Sequence, residues 1–303
     1  MRLQPKFQII TTAVHGMRSP SNYSLYSLLT SRLLIFVVFL LVGVVFLHST
    51  HSFSQRSTRE ELKNDTIIIA ITPTHKRLER LADMTRLSNT LQHVKNLHWI
   101  VIEDGDHTVP AVERILYRSG LPFIYLNTRT AKGFPARGWT HRNLALTYIR
   151  ENYHNVSAVV YFCDDDNAYD IRLFTDFIRN VKRIGIWAVG LVGGAYVEAP
   201  KVKNGKVNGW NVIFAPQRNF ATDMAGFAVN LKEIQRVNAS FGETCVKTYK
   251  QGPESCFLSQ FGLNKTDLEP FGYNHEPQEV FVWHTRTTKS KAKGPLYGYV
   301  FEA

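Results

Sequence analysis

Cysteine is scarce: three residues in 303 exclude a disulfide-built scaffold and leave room for one bridge. Charge is modest at 20%, too low for a disordered chain, and no internal repeat or low-complexity tract points to a solenoid or a linker. The net charge of +11 comes from scattered Lys and Arg, without the dense basic block interleaved with aromatics that nucleic-acid readers carry. No nucleic acid is therefore expected, and a phosphate-bearing or acidic glycan partner suits the charge as well. The paired-His spacings of metallohydrolases are missing too. Long apolar runs are absent but for one, Leu33 to Leu47, 15 residues preceded by Arg2, Lys6, Arg18 and Arg32 and by no acid.

That run has the positive-inside pattern of a signal anchor with a cytosolic N-terminus. At about 1.5 Å per residue it reaches about 22 Å, slightly short of a core of about 27 Å, so Thr30, Ser31 or His48 would help it span a thin membrane. A cleaved signal peptide is the alternative, opposed by the 32-residue leader and the lack of an A-x-A site. The expected organisation is a cytoplasmic tail over 1–32, an anchor over 33–48, a polar stem over 49–65 and a luminal remainder. Sequons at Asn64, Asn155, Asn238 and Asn264 fit a glycosylated compartment. Cys245 and Cys256 share one short polar stretch and are the expected disulfide, whereas Cys163 closes an apolar strand and reads as a small core residue.

From Thr66 onward, strand-like and helix-like patterns alternate. Strands are expected at Thr66–Thr72, His98–Asp104, Pro122–Asn127 and Ala158–Cys163. Helices are expected around Leu78–Val94, Ala111–Ser119 and Thr140–Glu151. This rhythm means an α/β fold with a mostly parallel sheet that binds ligands at the carboxyl ends of its strands. After Asp166 an amphipathic helix (Leu173, Phe174, Phe177, Val181, Ile184), a strand at Trp187–Val192 and an Asn204-Gly205 hairpin turn predict a mixed sheet. The corresponding halves are a nucleotide-binding subdomain over 66–166 and an acceptor-binding subdomain over 167–303.

The sharpest local signal is Asp164-Asp165-Asp166 at the end of an apolar strand. Clustered carboxylates repel, and a divalent cation bridging them to a diphosphate offsets that cost. Acids capping a following helix would serve equally well on the triplet alone. Arg137 and Arg142 carry guanidinium forks suited to phosphate and hexuronate oxygens, though either could be a solvated surface arginine. His284 and Arg286 fall on alternate positions of an expected strand over Val280–Thr287 and point the same way. Glu254 opens an expected helix over Ser255–Phe261, where the dipole of an ordinary first-turn acid lowers its pKa.

Taken in order, Ile71–Thr74 (ITPT), Glu103-Asp104, Arg137-Gly138 through Arg142-Asn143, the acid triplet, Asp223–Val229 (DMAGFAV), Glu254-Ser255 and Trp283–Thr287 (WHTRT) make the chain resemble the β-1,3-glucuronyltransferases over about Ile67 to Thr287. The resemblance implies a GT-A nucleotide-sugar transferase fold and an inverting, Mn²⁺-dependent transfer of glucuronic acid from UDP-glucuronate to a β-galactose 3-hydroxyl. It implies Asp166 as the direct Mn²⁺ ligand, with Asp164 and Asp165 on the ribose and nucleotide side and Asp104 receiving the uracil N–H. Pro73 and Thr74 would line the base pocket, with His75 where the family has tyrosine. Arg137 and Arg142 would hold the donor, His284 and Arg286 the diphosphate, Glu254 would be the base, and Glu198, Arg218 and Asp223 would bind the acceptor. Phe214 stands where linker-type relatives carry tryptophan, and Thr288 and the tail from Lys289 depart from the family.

The implied acceptor is Gal-Gal-Xyl of the proteoglycan linker, with N-acetyllactosamine or another galactoside on a glycoprotein or glycolipid as the alternative. A lectin-like protein without catalysis is the reading from another class, opposed by the intact acids and His284. The implied setting is the Golgi membrane, single-pass type II, as a homodimer.

Overall fold

The structure is a computed structural model that describes residues 66–242, 245, 252–285, 287 and 288. The anchor, the stem, Asn64, Arg286 and the tail from Lys289 lie outside those residues. Among the described residues no helix is long and apolar enough to cross a membrane.

Apolar runs fill Ile67–Ile71 of β1 (Ile67–Thr74), Trp99–Ile102 of β2 (Leu97–Asp104) and all of β4 (Ala158–Phe162), and such runs belong to strands covered on both faces. The alternation along β1 shows it: Ile69 and Ile71 enter one core, Ile68 and Ala70 the other. Between the strands lie α1 (Arg80–Leu91), α2 (Pro110–Ser119) and α3 (Trp139–Asn152), with β3 (Phe123–Thr128) following α2. Met84, Leu87 and Leu91 of α1 and Val112, Ile115 and Leu116 of α2 cover one face, whereas Ala145, Leu146 and Ile149 of α3 cover the other. Pro110 begins α2 and Gly120, at φ 70°, ends it, the usual asymmetry of helix termini.

The remaining strands are β5 (Ala168–Tyr169), β6 (Ile184–Ile186), β7 (Val189–Val192), β8 (Ala195–Lys203), β9 (Lys206–Asn211), β10 (Phe227–Asn230), β11 (Glu269–Pro270) and β12 (Val282–Trp283). The larger sheet has seven strands in the order β11-β6-β10-β4-β1-β2-β3. Strands β4, β1, β2 and β3 are parallel, as the βα rhythm predicts, while β10 runs antiparallel to both β4 and β6. Strands from beyond residue 166 thus complete the sheet begun before it. The second sheet, β5-β12-β7-β8-β9, is mixed. Its β8–β9 hairpin turns at Asn204 (φ 52°) and Gly205 (φ 72°), as the Asn-Gly pair predicts.

Two expectations are corrected. The helix expected after Asp166 is a π turn over Leu173–Phe177 followed by a 3-10 turn over Ile178–Asn180, with Ile184 already on β6. Aromatic packing wins over regular helix here: Phe174 meets Tyr161 edge-on, and Phe177 packs against Trp187 and Phe281. The strand expected over Val280–Thr287 is only Val282–Trp283 among the described residues. Two short helices, α4 (Leu231–Arg236) and α5 (Pro253–Ser259), complete the described elements used below.

Candidate active site

The acids at the end of β4 are held by the strand beside it. The Cys163 amide donates to Ile71 O (2.8 Å), the Thr72 hydroxyl to Cys163 O (2.7 Å), and the Trp99 indole to the Thr72 hydroxyl (2.9 Å). The Tyr169 hydroxyl donates to Asp164 O (2.8 Å), so the turn is pinned on both sides. Cys163 is buried with its thiol pushed up out of the reactive range, as a core residue should be.

The three acids have different surroundings. Asp165 is 6% exposed, takes a hydrogen bond from the Thr74 hydroxyl (2.7 Å) and pairs with Arg77 (2.9 Å), so both of its oxygens already have protein partners. It is a strut of the site, tied to the end of β1 and to Arg77. Asp164 pairs with Arg142. No described side chain donates to the Asp166 carboxylate, and burial together with repulsion from Asp164 and Asp165 pushes it up to about 6. Among the described residues no three His, Cys, Asp or Glu side chains converge into a cage. A hard cation that arrives with phosphates needs only one or two protein carboxylates. Among the described residues, Asp166 is the acid of the three whose carboxylate receives no side-chain hydrogen bond.

Asp164 also lines a cavity of about 590 Å³, which gathers Arg137, Arg142, Glu198, Phe214, Arg218, Asp223, Glu254 and His284. These residues come from loops and element ends separated by more than a hundred positions. Arg142, on the first turn of α3, donates to Arg137 O (2.8 Å) and is nearly buried. Gly138 precedes that helix at φ 74°, and a Cβ there would stand 2.8 Å from Arg142 Nη1 and 3.0 Å from Pro73, which brings the end of β1 to the cavity's edge.

On the opposite wall, Asp223 accepts from the Ala225 amide (2.9 Å) and its other oxygen lies 3.3 Å from His284 Nδ1. This close approach to Asp223, by hydrogen bond and by charge together, is the main pull on the imidazole, against burial. Asp223 raises the imidazole to about 9, with Asp164 and Asp166 adding to it, and His284 is a cation at neutral pH. Its amide donates to Gly190 O (2.9 Å), fixing it against β7.

Glu254 sits in the first turn of α5, behind Gly252 and Pro253. Burial prevails over the helix dipole: desolvation and the nearby Asp223 push the carboxyl up to about 7, against weaker pulls from its own backbone, Arg218 and Arg142. The expectation of a lowered pKa is thereby corrected. Glu198 is 4% exposed, its pKa also raised by burial, and its Oε1 has no hydrogen-bond partner among the described residues. Arg218 is buried, donates to the carbonyls of Phe214 (3.1 Å) and Ala215 (3.2 Å) and lies over the Phe214 ring at 4.9 Å. Such a cavity can bind a diphosphate at its cationic end and hold a hydroxyl beside a carboxyl that titrates near neutrality.

The model of glycosyltransferase family 43 matches residues 87–288. The chain belongs to glycosyltransferase family 43. It is 43% identical over 242 residues to galactosylgalactosylxylosylprotein 3-beta-glucuronosyltransferase sqv-8 of Caenorhabditis elegans, covering 76% of this chain and 66% of that one. It is 42% identical over 249 residues to galactosylgalactosylxylosylprotein 3-beta-glucuronosyltransferase 1 of Homo sapiens, covering 77% and 73%. Among solved structures, S. aureus TarS 1-349 aligns with a TM-score of 0.47 and 16% identity over 72% of this chain and 60% of that chain, too distant to carry an argument.

In this family 43 member the expected residues fall into two places. The cavity holds Arg137, Arg142, Asp164, Glu198, Arg218, Asp223, Glu254 and His284. Pro73, Thr74 and Asp104 lie at the carboxyl ends of β1 and β2, with exposed His75 just beyond. Asp104 accepts from the Thr130 amide (3.0 Å) and hydroxyl (2.6 Å), which with nearby His141 hold its pKa down although burial opposes them. Cys245 and Cys256 form the expected disulfide. Asn155, Asn238 and Asn264 are exposed. Sequence reading missed Gly193, where a Cβ would stand 2.1 Å from Glu198 Oε1; the Gly193-Gly194 pair after an apolar strand is the signal that marks this turn. It also missed Arg77 and Asp83, whose roles arise only from the fold.

Proposed function

We propose that this glycosyltransferase moves glucuronic acid from UDP-glucuronate onto the 3-hydroxyl of a terminal β-galactose with inversion, using Mn²⁺. The observation that carries this reading is the placement of Glu254, titrating near 7, in the same cavity as cationic His284, Arg142 and Asp164. A single inverting displacement needs a base on the acceptor side and positive charge on the leaving-group side. Glu254 takes the proton from the attacking hydroxyl. His284, Arg137 and Arg142 bind the diphosphate and stabilise the charge that builds on it. Glu198, with its free Oε1, accepts from an acceptor hydroxyl, and Phe214 over Arg218 offers a sugar face an apolar surface. Asp166 would hold the Mn²⁺, which would supply Lewis-acid neutralisation of the leaving diphosphate.

The relatives' names support a Gal-Gal-Xyl acceptor of the proteoglycan linker. With Leu33–Leu47 as a signal anchor, the site works in the Golgi lumen, where the exposed sequons and the disulfide are at home. The test is the full chain in detergent with UDP-glucuronate and a galactoside panel, in Mn²⁺ or EDTA. Metal-dependent glucuronyl transfer to Gal-Gal-Xyl is expected. Transfer to lactosamine alone would reassign the acceptor, and no transfer to any galactoside would reject the activity.

A further inference from the structure

Asp83 lies on α1, outside the cavity, yet it is 1% exposed and its carboxylate is crowded with donors. Arg77 Nη2 approaches at 2.8 Å, Arg86 Nη2 at 3.2 Å, and the Thr287 hydroxyl donates to both oxygens at 3.0 and 3.2 Å. Two of these partners reach onward to the acid turn. Arg77 Nη2 stands 2.9 Å from Asp165 Oδ1, and Arg86 Nη2 donates to Asp166 O at 3.0 Å. The Thr285 hydroxyl donates to the same Asp166 carbonyl. The residues flanking His284 on its C-terminal side are therefore tied to the acid turn through Asp166 O directly and through Asp83 indirectly.

We propose that Asp83 is a positioning residue which, through Thr287 and Arg77, locks the segment bearing His284 to the Asp164–Asp166 turn and so sets the affinity for a nucleoside diphosphate sugar. The donor-affinity part rests on the function proposed above; the mechanical part does not. Two isolated elements, a strand-end turn and a C-terminal segment, must grip one diphosphate from different sides. A buried carboxylate shared by donors from both holds them in one frame before the ligand arrives, which reduces the ordering cost of binding. The network leaves the two apolar cores untouched, because Arg86 and Thr287 face partly into solvent.

The test uses Thr287→Val, which keeps the shape and removes the hydroxyl donor, and Thr287→Ser, which restores it. Hydrogen exchange on the full chain reads the lock without substrate. Thr287→Val should speed exchange in the peptide spanning Asp164–Tyr169, Thr287→Ser should restore it, and Asp83→Asn should leave Thr287→Val with no further effect. With UDP-glucuronate, the KM for the donor should rise about tenfold in Thr287→Val while that for the galactoside stays within about twofold, the separation expected when one binding subsite is loosened. Unchanged exchange at the acid turn in Thr287→Val, or additive effects of the two substitutions, overturns the lock. Faster exchange with unaltered donor KM overturns the link to donor affinity. A wild-type chain that shows the exchange pattern but transfers no glucuronate rejects the proposed function and leaves the lock in place.

Discussion

Arg218 Nη1 stands 3.8 Å from Glu254 Oε2, too far for a hydrogen bond. The pair attracts without neutralising, so burial and the Asp223 charge keep the carboxyl near 7. A base must be deprotonated to act, so turnover should rise with pH through about 7 and level off above it, falling about tenfold per unit on the acid side. Glu254→Gln should lower kcat by about 10²- to 10⁴-fold while UDP affinity changes little. A wild-type profile flat across that range would remove Glu254 from the base role.

The same carboxyl should cost stability. Its folded pKa lies above the ordinary 4.5, so the folded chain binds the proton more tightly than the unfolded one. The contribution from this group is fully present below 4.5 and is lost as pH rises through about 7. Glu254→Gln should therefore be more stable than wild type at about pH 8, by about 1–3 kcal/mol, with the difference shrinking toward about pH 5. Thermal melts of both proteins across that range check it.

Cys256 follows Glu254 by two positions and is bridged to Cys245, 11 residues earlier. A closed loop of that size stabilises by about 2–3 kcal/mol in the chain-entropy view. Reduction, or Cys256→Ser, should lower the melting temperature and reduce kcat more than donor affinity, because the released end of α5 carries Glu254, the proposed base. Equal losses in donor binding and turnover would mean the bridge acts on the whole fold.

Much of this was legible beforehand because the signals were local. The unbroken run of Ile67–Ile71 and the flanking α1 periodicity are satisfied by the chain's own neighbourhood, and the Asn204-Gly205 turn needs only two backbone angles. The stretch from Leu173 to Ile184 misled because its apolar spacing is helical, while Tyr161, Trp187 and Phe281, distant in sequence, decide how its aromatics pack. Glu254 follows from the resemblance, but its titration does not, since it depends on burial in the fold and on the Asp223 charge brought beside it. Arg77 and Asp83 gave no signal at all. Asp83, one turn into a helix, reads as solvent-facing until Thr287 is brought to it, and Arg77, just before that helix, does so until Asp165 is.

Asp166 offers the remaining test. Its carboxylate is raised to about 6 by burial and by its acidic neighbours, and a metal ion must displace the same proton. Mn²⁺ should therefore bind more weakly as pH falls through about 6, where proton and cation would compete for the same carboxylate. With UDP present at about 100 times its Kd, Mn²⁺ should stabilise the chain by about 2.7 kcal/mol, a melting shift of several degrees. EDTA should remove the shift from wild type, and Asp166→Asn should lack it at any Mn²⁺ concentration. Without ligand at neutral pH, Asp166→Asn should melt at or above the wild-type temperature, since the raised Asp166 carboxyl costs stability when ionised. Because Asp165 is already held by Thr74 and Arg77, Asp165→Asn should instead lower stability even without UDP. If Asp166→Asn retains the full Mn²⁺ and UDP shift, the cation is seated elsewhere and the division of labour among the three acids is wrong.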